Sequence, residues 1–118
     1  MNIGTTNGLT IATLPEDGPL LATEQDAIDV MGELYGSGAD LVAVPVSRLG
    51  PGFWQLETRV AGHFIQKFIT YGLRVAFVGD LSAELAASSA LRDYVRECNR
   101  GQQVTFAADA EELARRLG

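Results

Sequence analysis

The sequence predicts an α/β domain built on a mostly parallel sheet of four to five strands with about four helices. Two observations carry the prediction. Short apolar, β-favouring runs alternate with helix-period runs along the whole chain, and turn residues punctuate the change from one to the next. At 118 residues, with 47% apolar and 20% charged residues, the chain suits one globular domain with a real core and is not a disordered chain.

Leu9 to Leu14 reads as the first strand, followed by the turn-forming Pro15-Glu16-Asp17-Gly18-Pro19. Leu20-Leu21 reads as a short extended piece. Thr23 then stands as an N-cap, with Glu24 and Asp26 in the first turn of a helix. Ala27, Ile28, Met31, Leu34 and Tyr35 are the expected buried face, and Gly36-Ser37-Gly38 the stop. Leu41 to Val46 is the second strand. Pro45 offers no ladder N–H and belongs near its end or at an unpaired edge position.

The stretch from Gly50 to Asp80 is the most informative. Val60, Ala61, Phe64, Ile65, Phe68 and Ile69 form one apolar stripe at helical spacing, with Arg59, His63, Gln66, Lys67 and Thr70 opposite. Gly72 fits a left-handed helix stop, and Leu73 to Val78 reads as a strand buried on both faces. After Asp80, Leu81 to Leu85 reads as a helical turn. Ser88 or Ser89 caps a helix carrying Leu91, Tyr94, Val95 and Cys98, which Gly101 closes. Val104 to Ala107 is the last strand, and Asp109 caps a final helix with Leu113 and Leu117 inward.

Several function classes drop out. Net charge is −6 and the basic residues are scattered, so no nucleic-acid partner is expected. No apolar run approaches a bilayer's thickness, so no membrane partner is expected either. One cysteine and a start without signal-peptide character point to the cytoplasm. His63 is the only histidine and sits on a polar helix face. With it and one cysteine, neither a metal centre nor a cofactor site is expected. No acid–base pair, activated nucleophile or phosphate-binding glycine loop stands out, so the chain is not read as an enzyme.

The candidate contact residues are Phe53, Trp54, Thr58, Arg59 and Asp80. If the central helix begins near Thr58, Phe53 and Trp54 lie on a loop, where aromatic rings suit a partner surface or a ligand wall. If it begins at Pro51, both rings join the stripe of Val60 and Phe64 and are core. The residues leave these two readings open. Thr58 suits a plain N-cap, or a phosphate-accepting helix start. Asp80 directly follows a buried strand, where ligands gather in parallel sheets, although a turn-capping carboxylate is the commoner role. The expected activity is therefore contact with a protein partner or a second copy through the loop from Gly50 to Thr58. The alternative is a small-molecule pocket near Phe53, Trp54 and Asp80.

Four segments carry a resemblance. Gln25 to Met31, Leu56 to Gly62 with Gln66-Lys67-Phe68, Val75 to Asp80, and Leu91 to Gly101 resemble a bacterial family catalogued only as a domain of unknown function, family 4180. The likeness covers nearly the whole chain and implies no activity. More distantly, the order of elements is similar to STAS domains, the sulfate-transporter and anti-sigma-factor-antagonist fold. That likeness rests on Val75 to Gly79 and on Ala108 to Leu113. It implies a regulatory binding role and places Thr58 where the phosphorylated serine of those domains stands. Glu57 and Arg59 replace the serine and glycine expected on either side, and the Arg59 side chain would crowd a kinase.

Overall fold

A computed structural model of the chain describes residues 2–50 and 52–117. Its single sheet has five strands in sequence order: β1 (Asn2–Thr6), β2 (Leu9–Thr13), β3 (Leu41–Pro45), β4 (Arg74–Val78) and β5 (Val104–Ala107). The helices are α1 (Glu24–Leu34), α2 (Val60–Thr70), α3 (Ser82–Ala87), α4 (Ser89–Arg100) and α5 (Ala110–Leu117). From β2 to β5 neighbouring strands run parallel. β1 runs antiparallel to β2, so the sheet is mixed, which corrects the mostly parallel sheet expected from the sequence.

The added strand has a local cause. Asn7 and Gly8 both take positive φ, 51° and 82°, which is the two-residue hairpin turn that Asn-Gly favours. The fifth helix arises because Ser88 leaves helical conformation between α3 and α4, and its Oγ accepts the Leu91 N–H at 3.1 Å.

A chain that steps one strand at a time in one direction, with crossovers of one hand, keeps its connecting helices on one face. The side chains agree. Ala27, Val30 and Leu34 of α1 and Ala61, Phe64, Ile65 and Phe68 of α2 share one buried cluster with Ala12, Val42, Val44, Val75, Phe77, Val104 and Phe106 of the strands. The intervening strand residues point the other way, as a period of two requires. Ile11, Leu41, Ala43, Ala76 and Ala107 meet Leu113 of α5 in a second, smaller cluster. Small strand residues on that face let the short helix lie close.

The α1 N-terminus is a full capping box. Thr23 Oγ1 accepts the Asp26 N–H at 3.1 Å while Asp26 Oδ2 accepts the Thr23 N–H at 2.9 Å. The buried face of α1 is rotated from the expected one. Val30 faces the core, whereas Ile28 and Tyr35 are exposed, Tyr35 at 93%. Apolar residues fill much of this helix's circumference, so spacing alone leaves the buried stripe ambiguous. Pro45 ends β3, Leu21 forms a lone parallel bridge with Leu49, and Asp109 Oδ1 caps α5 through the Glu112 N–H at 2.8 Å.

Candidate functional site

The segment between β3 and α2 is a string of tight turns tied down to the rest of the molecule. Val46–Arg48 forms a 3-10 turn after Pro45. The Leu21 N–H donates to the Arg48 carbonyl at 2.7 Å, and the Gly50 N–H returns to the Leu21 carbonyl at 3.0 Å. Gly50 fits because a Cβ there would press to 3.3 Å from the Ala22 Cβ. The Phe53 N–H donates to the Gly50 carbonyl at 3.2 Å, and the Gln55 N–H to the Gly52 carbonyl at 3.0 Å, with Gly52 at φ 77°.

Arg48 anchors the base of this segment. Its side chain is 7% exposed; Nη1 donates to the Pro15 carbonyl at 2.9 Å and Nε to the Pro19 carbonyl at 3.0 Å. The guanidinium lies against Gly18, where an added Cβ would approach its Cζ to 2.9 Å. One arginine thus holds the Pro15–Pro19 turn against the β3 end. Nothing in the local sequence around Arg48 signals that role.

These turns drive the aromatic residues inward. Phe53 is 2% exposed, with its ring 5.4 Å from Phe64 and 4.9 Å from Trp54. Trp54 packs edge-on against Phe77 at 5.0 Å and tilts over Phe106 at 5.2 Å. The expectation of a loop presenting both rings is therefore corrected. The segment is a loop, as one reading held; Phe53 is core, as the other held, while Trp54 is half-buried, packed against the core and lining a hollow. The first turn of α2 begins at Val60, and Pro51, the alternative start, lies outside the described residues. Sequence reasoning tied burial to helix; here a non-helical segment is folded under its neighbours.

Thr58 closes a 3-10 turn, Leu56–Thr58, and Arg59 follows in left-handed conformation at φ 62°. The Thr58 hydroxyl donates to the Gln55 carbonyl at 2.8 Å and accepts the Val60 N–H at 3.3 Å. It serves the Val60 N–H, but the N-cap position of α2 is Arg59, which makes no side-chain cap bond, so the expected Thr58 N-cap is corrected by one residue. Thr58 and Arg59 are exposed and line neither of the hollows described next.

Two hollows adjoin at the carboxyl end of the sheet, with Leu81 in the wall of both. The larger, about 420 Å³, lies between the turns after β3 and the α3–α4 pair. Val46, Leu49, Phe53, Trp54, Leu81 and Leu91 give it apolar walls; Gln55, Glu84 and Ser88 add polar groups. Trp54 Nε1 is out of solvent and has no hydrogen-bond partner among the described residues. A buried donor left unmade costs about 1–3 kcal/mol. The smaller hollow, about 320 Å³, is lined by Phe77, Asp80, Asn99, Phe106, Glu112 and Arg116 among others. Gly79 makes room where β3 and β4 end, since a Cβ at its φ of 145° would collide with Val46.

Asp80 and Glu112, in the wall of the smaller hollow, are engaged in structure. Asp80 Oδ1 accepts the Ser82 N–H at 2.8 Å, and hydrogen bonds from the Ser82 side chain and backbone hold its carboxyl below the usual range. Glu112 Oε1 accepts the Ala108 N–H at 2.6 Å, the main cause of its lowered pKa; Arg116 beside Oε2, at 3.1 Å, adds to it. Burial raises both the Cys98 thiol and the Tyr94 hydroxyl. His63 is exposed, 3.6 Å from Glu24. Among the described residues no three His, Cys, Asp or Glu side chains are grouped to hold a metal. No described helix is long and apolar enough to cross a membrane.

The structure thus gathers Phe53, Trp54 and Asp80 at one end of the sheet and leaves Thr58 and Arg59 outside. Sequence reasoning missed Leu81, Glu84, Leu91 and Asn99. For Leu91 the signal was present in the Ser88 cap and the α4 stripe. For the others nothing local marks them.

Fold and site together define an α/β domain with a mixed five-stranded sheet and paired hollows at its carboxyl end. The chain belongs to the family described as domain of unknown function DUF4180, whose family model matches residues 6–117. No curated protein and no solved structure matches it.

Proposed function

We propose that this chain is a non-enzymatic binding domain that takes a small, largely apolar molecule in the hollow beside Trp54. The single observation that carries this reading is an apolar hollow with Trp54 among its wall residues, the indole N–H of that residue being out of solvent and without an acceptor among the described residues. Apolar walls with a few polar groups are the usual form of such sites, and strand carboxyl ends are their usual place. A carbonyl or amide oxygen on the ligand supplies the missing acceptor. Glu84 in the wall and the net charge of −6 disfavour anionic ligands.

Contact with a protein partner through the same loop is the weaker reading. Phe53 is interior, and among the described residues the loop's exposed ones are Gly52, Gln55, Glu57, Thr58 and Arg59, which offer little apolar surface. A regulatory, STAS-like role draws support from the sequential order of β2 to β5 with a helical crossover after each of the first three. Residence in the cytoplasm fits the lone Cys98, whose thiol has no partner for a disulfide within the chain.

The test is thermal unfolding against a panel of neutral carbonyl and amide compounds, with Trp54→Phe alongside. A ligand of the native state raises its melting point. The reading expects a compound that raises it for the wild type and raises it less for the variant. An equal rise in both, or none across the panel, counts against it.

A further inference from the structure

The two edges of the sheet are finished differently. At the β5 edge the Asn99 side chain engages both backbone groups of Phe106: Nδ2 donates to the carbonyl at 3.3 Å, and Oδ1 accepts the N–H at 2.8 Å. An arriving strand would have to displace that amide. At the opposite edge β1 pairs with β2 alone. The two-residue turn makes Thr6 and Leu9 the hydrogen-bonded pair beside it, and alternation extends this to Gly4–Ile11 and Asn2–Thr13. The N–H and C=O groups of Ile3 and Thr5 therefore point away from the sheet. Thr10, opposite Thr5, conforms to the same alternation: its N–H donates to Asp40 Oδ2 at 2.9 Å and its carbonyl accepts the Asp40 N–H at 2.8 Å, on the β3 side.

Proteins commonly guard an edge with charge, proline or a covering element. The five residues of β1 include neither a charge nor a proline, and Ile3 is 49% exposed. Gly4 is not demanded by the single chain, because a Cβ there meets nothing within 4 Å. Glycine inside a strand suits close approach of another backbone.

We propose that β1 is a self-pairing edge: two copies join β1 to β1, antiparallel, about a two-fold axis at Gly4, making one continuous sheet. That register sets Ile3 opposite Thr5 of the second copy, and each such pair exchanges both outward hydrogen bonds. The two glycines face each other on the axis. A second copy is the favoured occupant for three reasons. The register is self-complementary. The strand is uncharged in a chain of net charge −6, so copies meet where repulsion is least. Asn99 closes the β5 edge, so head-to-tail growth is blocked and a closed pair is what remains.

Sedimentation velocity over a dilution series, on protein with no N-terminal tag, tests this. The wild type is expected to pass from dimer to monomer on dilution. Thr5→Pro removes an outward N–H while sparing the β2 ladder, and is expected to be monomeric with an unchanged far-UV spectrum. Ile3→Lys places a charge at the edge and decides the matter by the same criterion if the proline variant unfolds. In concentrated samples the Ile3 and Thr5 amides exchange slowly, and dilution abolishes that protection. A wild type that is monomeric throughout, or a dimer that survives in the folded variant, overturns the proposal.

Discussion

Phe53 and Trp54 are neighbours in sequence with different jobs. Phe53 is wholly interior, in contact with Trp54, Phe64 and Phe77. Phe53→Ala is expected to cost about 3–5 kcal/mol in denaturant unfolding, the range for a buried aromatic cut to alanine. Trp54→Phe keeps an aromatic ring but a smaller one, so the packing lost against Phe77 and Phe106 offsets the removal of an unsatisfied donor, and its stability is expected to lie within about 1 kcal/mol of the wild type. Arg48 and Asn99 act through backbone groups distant in sequence. Arg48→Met leaves the Pro15 and Pro19 carbonyls without their donors, and hydrogen bonds to charged groups contribute about 1.5–3 kcal/mol each. The expected signature is faster proteolysis within the Pro15–Pro19 turn. Such roles were illegible in the sequence because they depend on which distant carbonyls the fold brings near.

At the scale of elements, most of the fold was readable. The caps at Thr23, Ser88 and Asp109, the α2 stripe and strands β2 to β5 follow from local chemistry and fall where expected. Thr23→Ala is expected to cost about 1 kcal/mol, measured by thermal or denaturant unfolding, because the reciprocal cap at α1 is lost. β1 escaped notice although Asn7-Gly8 is a strong hairpin signal. Asn2 to Thr6 holds one large apolar residue, Ile3, so its strand character comes from pairing and the turn rather than from a hydrophobic run. The burial of Phe53 within a loop was unreadable for another reason. Whether a loop residue is exposed depends on what packs over it, and here Phe64 of α2 and Phe77 of β4 meet the Phe53 ring.

Across the whole molecule, the two faces of the sheet are unequal. One carries the aromatic core under α1, α2 and α4; the other, among the described residues, is closed by α5. Glu112 ties the α5 start to Ala108 and so helps hold that second face. Its carboxyl is held below the ordinary value of 4.5 in the folded state, so its contribution is present above that pH and is lost as pH falls below it, through the folded pKa. Stability is therefore expected to decline as pH falls below the ordinary carboxylate value, and Glu112→Gln is expected to flatten that decline, read by circular dichroism in denaturant. At the opposite end, the carboxyl-end hollows bring β3, β4 and α3–α4 residues together around the only tryptophan in the chain. That single indole gives one side-chain resonance in an amide-correlation spectrum. The most direct measurement follows the Trp54 Nε1–H signal while the strongest thermal-shift compound is titrated in. Engagement of an acceptor is predicted to move it downfield in step with saturation; an indole signal that stays in place while the compound binds would contradict the account.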